Sequence, residues 1–109
     1  MLVQTAPEFE ALAKKLERNY RSIYNDVDKL ISDLEQGPRH QDRRLQNMGG
    51  MEVYKARLPN TSARVGSCGG FRVVYRVKDG TIILLLLIWA KSKTVDIPDS
   101  EIRRVASQY

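Results

Sequence analysis

Two stretches of helical period and then an alternating pattern run along this chain. Phe9, Leu12, Ala13 and Leu16 recur at i, i+3, i+4 and i+7, the spacing of one apolar helix face. Tyr20, Ile23, Tyr24, Val27, Leu30, Ile31 and Leu34 continue with the same period. Thr5-Ala6-Pro7-Glu8 reads as a capping box, with the Thr5 hydroxyl at the N-cap, Pro in the first turn and Glu at N3. Gly37-Pro38 ends the helical region, because Gly takes the left-handed position after a helix and Pro cannot continue it. One helix over residues 6–36 would be about 46 Å long at 1.5 Å per residue, too long for a domain of this size to bury. The pattern therefore predicts a break near Asn19 and an antiparallel helical hairpin.

From residue 52 the period is two. Glu52 to Leu58 alternates and Pro59 ends it; Phe71 to Val77 is a second strand and Thr81 to Trp89 a third. Lys78-Asp79-Gly80-Thr81 reads as a two-residue hairpin turn, which would set Val77 opposite Ile82 and Arg72 opposite Leu87. From Ile82 on, the third strand is apolar at every position, as a central strand covered on both faces would be. Pro98-Asp99-Ser100 opens a short helix to about Ser107, with Ile97, Ile102, Val105 and Ala106 on one side and Arg103 and Arg104 on the other. The predicted class is α+β: an N-terminal helical hairpin packed on a small antiparallel β-sheet, with a short C-terminal helix, as a single domain over residues 1–109.

Composition adds a compartment and a charge. The chain has 109 residues and a formal net charge of +5. One cysteine, Cys68, allows no intrachain disulfide framework and fits a reducing compartment. The longest apolar run, Ile82 to Ala90, is about half of what a bilayer requires, and the first residues lack a secretory pattern. The expectation is a cytoplasmic domain without a membrane partner. Residues 1–36 hold five cations and seven anions, net −2; residues 37–109 hold thirteen and six, net +7. The basic balance thus belongs to the strand region and points to a polyanionic partner.

Side chains alternate across a strand, so parity assigns faces. Lys55, Arg57, Arg72, Arg76, Lys91 and Lys93 fall on one sheet face together with Leu85, Leu87 and Trp89, and Arg64 in the Gly-rich loop can fold over its edge. Arg72 is expected on the outer side, contributing nothing to the core. A cationic sheet face with an aromatic beside it suits RNA; it also suits the plain solvent face of a two-layer domain. Other chemistries find no residues. Cys68 and His40 are single, no acidic cluster has metal-ligand spacing, and Gly66, Gly69 and Gly70 lead into a strand rather than a phosphate-binding helix. No metal and no cofactor are expected, and an enzyme here would work with Lys, Arg and Tyr side chains.

The segments Val53-Tyr54-Lys55-Ala56-Arg57-Leu58, Gly70-Phe71-Arg72-Val73-Val74-Tyr75-Arg76-Val77 and Ile88-Trp89-Ala90-Lys91-Ser92-Lys93, with Asp96-Ile97 and Glu101-Ile102 after them, resemble the RelE/ParE superfamily of bacterial toxins, especially its RelE- and HigB-like branches. The resemblance implies the toxin of a type II toxin–antitoxin system. Such a toxin is a ribosome-dependent, metal-independent mRNA endonuclease that inhibits translation and is held by a cognate antitoxin in a hetero-oligomer. By position it implies Lys55, Arg57 and Arg72 as catalytic residues. Lys55 would be base or electrostatic aid to the 2′-OH, and the two arginines phosphate clamps. Arg64, Arg76, Lys91 and Lys93 would hold mRNA or ribosomal RNA. Two positions depart from the family pattern: Ser92 stands where an Arg is common, and Ile97-Pro98 where a catalytic Tyr is common. Tyr109 is a candidate to reach back in its place. A ParE-like gyrase inhibitor and a non-toxic nucleic-acid-binding domain are the alternatives.

Overall fold

The computed structural model describes residues 1–94 and 96–109. The chain runs β1 (Leu2–Thr5), α1 (Pro7–Glu17), α2 (Ile23–Leu34), β2 (Arg43–Arg44), β3 (Glu52–Leu58), β4 (Phe71–Lys78), β5 (Ile82–Ala90) and α3 (Asp99–Ala106). The five strands form one sheet in the order β1-β5-β4-β3-β2. Strands β2 to β5 pair antiparallel, whereas β1 lies parallel to β5 with Leu2 opposite Ile82.

The chain thus begins with a strand and not with the helical hairpin, and the sheet is mixed rather than purely antiparallel. The physical reason lies in β5. A strand buried on both faces still has two edges of backbone donors and acceptors, and β4 satisfies only one of them. The first residues fill the other. Thr5 is drawn into β1, so it does not cap α1: its hydroxyl donates to the Glu10 carboxylate at 2.6 Å, while Ala6 is the N-cap residue. The Ala6 N–H carries the ladder one step further, to the Leu85 carbonyl at 2.8 Å. The break between α1 and α2 falls at residues 18–22, and Gly37, just past α2, has the positive φ of 103° that its place requires.

The meander follows the alternating pattern, with two changes of register. Asp79 and Gly80 have φ of 54° and 67°, but Lys78 lies opposite Ile82, so the turn is one residue longer than the expected two; Val77 lies opposite Ile83 and Arg72 opposite Trp89. The pairing shifts between Val74, opposite Leu87, and Tyr75, opposite Leu85, which leaves Leu86 as an extra residue in β5. A bulge resets the side-chain alternation. The longer turn places Leu85 with Phe71, Val73 and Tyr75 against the helices, not on the cationic face, while the bulge lets Leu86 and Leu87 both pack on the opposite side with Val74 and Trp89.

Both sheet faces carry a core. On one, Phe9 and Ala13 of α1 and Ile23, Val27, Leu30 and Leu34 of α2 cover the sheet. On the other, Ile102, Val105 and Ala106 of α3 join Leu45, Met48 and Val53. Helix α3 covers only the part of this face towards the end of β4, and the cationic part stays open. The loop between β3 and β4 folds tightly back on β3 at Gly70, where a Cβ would stand 2.0 Å from the Leu58 carbonyl oxygen and 2.8 Å from the Asn60 nitrogen. Gly70→Ala is expected to lower the unfolding free energy by about 2–3 kcal/mol in urea titration, as backbone must move to admit the methyl group. Gly66→Ala meets nothing within 4 Å. It should stay within about 0.5 kcal/mol of the wild type.

Candidate nucleic-acid interface

The open part of the second sheet face is a cleft of about 800 Å³. Strands β2, β3 and β4 and the residue after β5 each bring a cation to it. Arg43 on β2 lies opposite Lys55 on β3, so both point to the same side; Arg57 follows two residues later, Arg72 stands at the start of β4, and Lys91 follows β5. Arg39, from the loop after α2, closes one wall.

These cations are not equivalent. Arg72 is only 7% exposed. Its guanidinium donates to the carbonyls of Ser67 at 3.0 Å, Cys68 at 2.7 Å and Phe71 at 3.3 Å. The expectation of an outer residue without structural weight is corrected: Arg72 lies under the Gly-rich loop and holds it. Burial, and then the nearby charge of Arg57, lower its pKa from the usual arginine value. Lys91 donates to the same Cys68 carbonyl at 3.2 Å. Lys55 has a nearly buried side chain whose ammonium meets Asp96 at 2.9 Å and lies 5.7 Å from the Trp89 ring centre. Arg57 and Arg43 are exposed and donate no side-chain hydrogen bond among the described residues. They are the cations ready for a ligand.

The rim is held by a buried carboxylate. Asp42 has a fully buried side chain that accepts from the Arg39 guanidinium at 2.9 Å and from the Tyr75 hydroxyl at 2.6 Å. Arg39 also donates to the Arg57 carbonyl at 2.9 Å. The network ties the β2 segment to β4 and β3, and so fixes Arg43 and Arg57 relative to each other. Burial, with the bond and charge of Asp42, pushes the Tyr75 hydroxyl well above the usual tyrosine range, so it stays a donor.

Four of the expected site residues lie elsewhere. Arg76 runs under α3 and donates to the Ala106 carbonyl at 3.1 Å, which makes it a C-terminal anchor of that helix. Tyr109 is bound at the far end of the sheet: Lys78 donates to its carbonyl, and its hydroxyl faces Glu8 at 3.5 Å. Lys78 is six residues along β4 from Arg72, roughly 20 Å at 3.3 Å per residue, so Tyr109 does not reach the cleft. Arg64 and Lys93 are exposed outside the cleft lining, Arg64 in a loop with φ of 55°. Strand parity places Arg76 correctly on this face, but parity carries no information about which part of a face a helix covers.

Four lining residues escaped the sequence reading: Arg39, Gln41, Arg43 and Asp96. The signal for the first three is the polar run from Arg39 to Arg44 after the helix stop, which looks like an ordinary solvated loop; Asp96 entered the sequence reading only as part of the family resemblance, with no role. Among the described residues no group of three or more His, Cys, Asp or Glu side chains gathers as metal ligands would, and no helix is long and apolar enough to cross a membrane.

No protein-family model and no curated protein matches the sequence. Among solved structures, a free-state variant of the E. coli toxin RelE with two arginines replaced by alanine is similar to 98% of this chain and 94% of its own, with a TM-score of 0.62 and 18% identity. The chain has the RelE toxin fold. The RelE-like arrangement of sheet and helices agrees with the resemblance seen in the strand segments.

Two outcomes follow for the cleft. Arg72→Ala is expected to lose about 1–3 kcal/mol of stability in denaturant titration, since three carbonyls lose a charged donor. Partial burial alone would raise the Asp96 pKa; the hydrogen bonds from Lys55 and the Ile97 N–H, and the charges of Lys55 and Arg43, bring it below the usual carboxylate value. In Lys55→Met, an NMR titration of the Asp96 carboxyl carbon should therefore show the pKa moving upward. An unchanged value would mean that the pair does not form in solution.

Proposed function

We propose that this protein is a ribosome-dependent mRNA endonuclease, the toxin of a toxin–antitoxin pair, that cuts RNA without a metal of its own. The observation that carries this reading is the convergence of Arg43, Lys55, Arg57, Arg72 and Lys91 on one open cleft of a RelE fold.

The chemistry suits such a cleft. The ribose 2′-oxygen attacks the adjacent phosphorus, the bond to the 5′-oxygen breaks, and the products are a 2′,3′-cyclic phosphate and a 5′-hydroxyl. Negative charge grows on the non-bridging oxygens and on the leaving 5′-oxygen, where fixed cations stabilise it. Arg57, exposed and uncommitted, is the phosphate clamp, with Arg43 facing the neighbouring phosphate. Lys55, with its ammonium fixed at the cleft by Asp96 at 2.9 Å, serves as charge or proton donor to the reacting phosphate. Arg72 and Lys91 act by holding the loop that walls the cleft.

No strong general base lines this cleft among the described residues. Orientation of the 2′-OH must then come from the surroundings in which the RNA is presented, which is what the ribosome supplies. An acidic antitoxin segment that folds over the cleft and beside α3 would neutralise it by charge and apolar contact.

Purified protein is expected to cut mRNA on programmed ribosomes and to leave the same RNA intact when free. Arg57→Ala should lower the ribosomal cleavage rate about 10²-fold or more while folding normally, as when one preorganised donor is removed. Primer extension on the ribosome-bound message reads both. Efficient cleavage of naked RNA would overturn ribosome dependence. Growth arrest with intact mRNA and a DNA-damage response would replace the nuclease reading by gyrase inhibition.

A further inference from the structure

Asp96 is the only carboxylate lining the cleft among the described residues, and the cations converge on it. Its Oδ1 accepts from Lys55 Nζ at 2.9 Å and from the Ile97 N–H at 2.9 Å. Lys55 is its ion-pair partner among the described residues, and Arg43 and Arg72 line the same cleft, so the carboxylate sits where the cleft is most cationic. A tetrahedral phosphate offers the same thing, two anionic oxygens for charged N–H donors. Asp96 lies in the irregular connection between β5 and α3, and its side chain is 58% exposed, so the carboxylate can leave Lys55 for solvent.

We propose that Asp96 is a built-in phosphate mimic: it occupies the phosphate position at Lys55 in the free protein, and an RNA substrate must displace it. This rests on the nuclease reading and names what that cleft selects for. A lone phosphate replaces one anion by another and gains little. An RNA strand also engages Arg57 and Arg43, and only that added contact displaces Asp96 with profit. The cleft therefore prefers an extended RNA strand over small phosphorylated molecules. Asp96 is not the proton acceptor for the 2′-OH in this scheme, because a carboxylate held below its ordinary range by neighbouring cations is a weak base.

The test uses a 2′-O-methyl oligoribonucleotide, which cannot be cut because its nucleophile is blocked, with binding followed by anisotropy across a salt series. Asp96→Asn keeps size and the Ile97 contact but removes the charge. It is expected to bind about two- to fivefold more tightly, the scale of a partly exposed ion pair. The plot of log affinity against log salt should also steepen by about 0.7. In the wild type the released carboxylate takes up a cation and cancels the counterion that Lys55 frees from the RNA, and in the variant it does not. The gain should vanish in Lys55→Met, where Asp96→Asn has no pair to break. If the wild type binds and Asp96→Asn binds equally or more weakly, the mimic is overturned and the nuclease reading stands. If neither protein binds RNA at any salt, both fall.

Discussion

Strand β5 has nine residues and no charged side chain, and from Leu85 to Ala90 it is buried throughout. Such a strand needs cover on two faces and a hydrogen-bonding neighbour on two edges, or its burial is offset by exposed apolar surface and unpaired backbone. The other elements answer this need. Helices α1 and α2 cover one face, α3 with Leu45 and Met48 covers part of the other, β4 takes one edge and β1 the other. Because α3 has only eight residues, it leaves part of the second face open. The cleft is that remainder, and the cations stand at its border because they sit on strands whose opposite side is core.

The cleft divides its charges between construction and readiness. Arg72 and Lys91 are spent on the carbonyls of the Gly-rich loop, and Arg39 on Asp42 and the Arg57 carbonyl. Arg43 and Arg57 are left exposed on segments that these bonds fix. A substitution at Arg72 and one at Arg57 therefore differ in kind: the first disturbs the wall, the second the ligand contact. Buried charges of this sort are stable only when every donor and acceptor is used, and Asp42 with its guanidinium and phenol partners meets that condition.

What the sequence could tell followed the range of the interactions. The α1, α2, β3, β4 and α3 segments were legible because each has a local period of 3.6 or 2 and local stop residues. Strand β1 was not, since four residues carry no period and their partner is some eighty positions away. Nor was the Leu86 bulge, because in an all-apolar strand every register buries the same kind of side chain and parity has nothing to follow. For the site, Lys55, Arg57, Arg72 and Lys91 came from parity and resemblance and do line one cleft. Arg76 came from parity and Tyr109 as a stand-in for the family's tyrosine, and the position of α3 removes both. Arg43 sits on a strand of only two residues and Asp96 on irregular backbone, and neither has a period that announces a face.

The separation of the two sheet faces has an electrical consequence. The helices of residues 1–36, net −2, lie together on one side, whereas residues 37–109, net +7, include the cleft on the other. The molecule is therefore a dipole as well as a cation, with its positive pole at the cleft. In the field of a large polyanion it experiences a torque as well as an attraction. It turns its cleft forward while still within about a Debye length of the surface, roughly 8 Å at physiological salt, and arrives with the cleft already facing the polyanion.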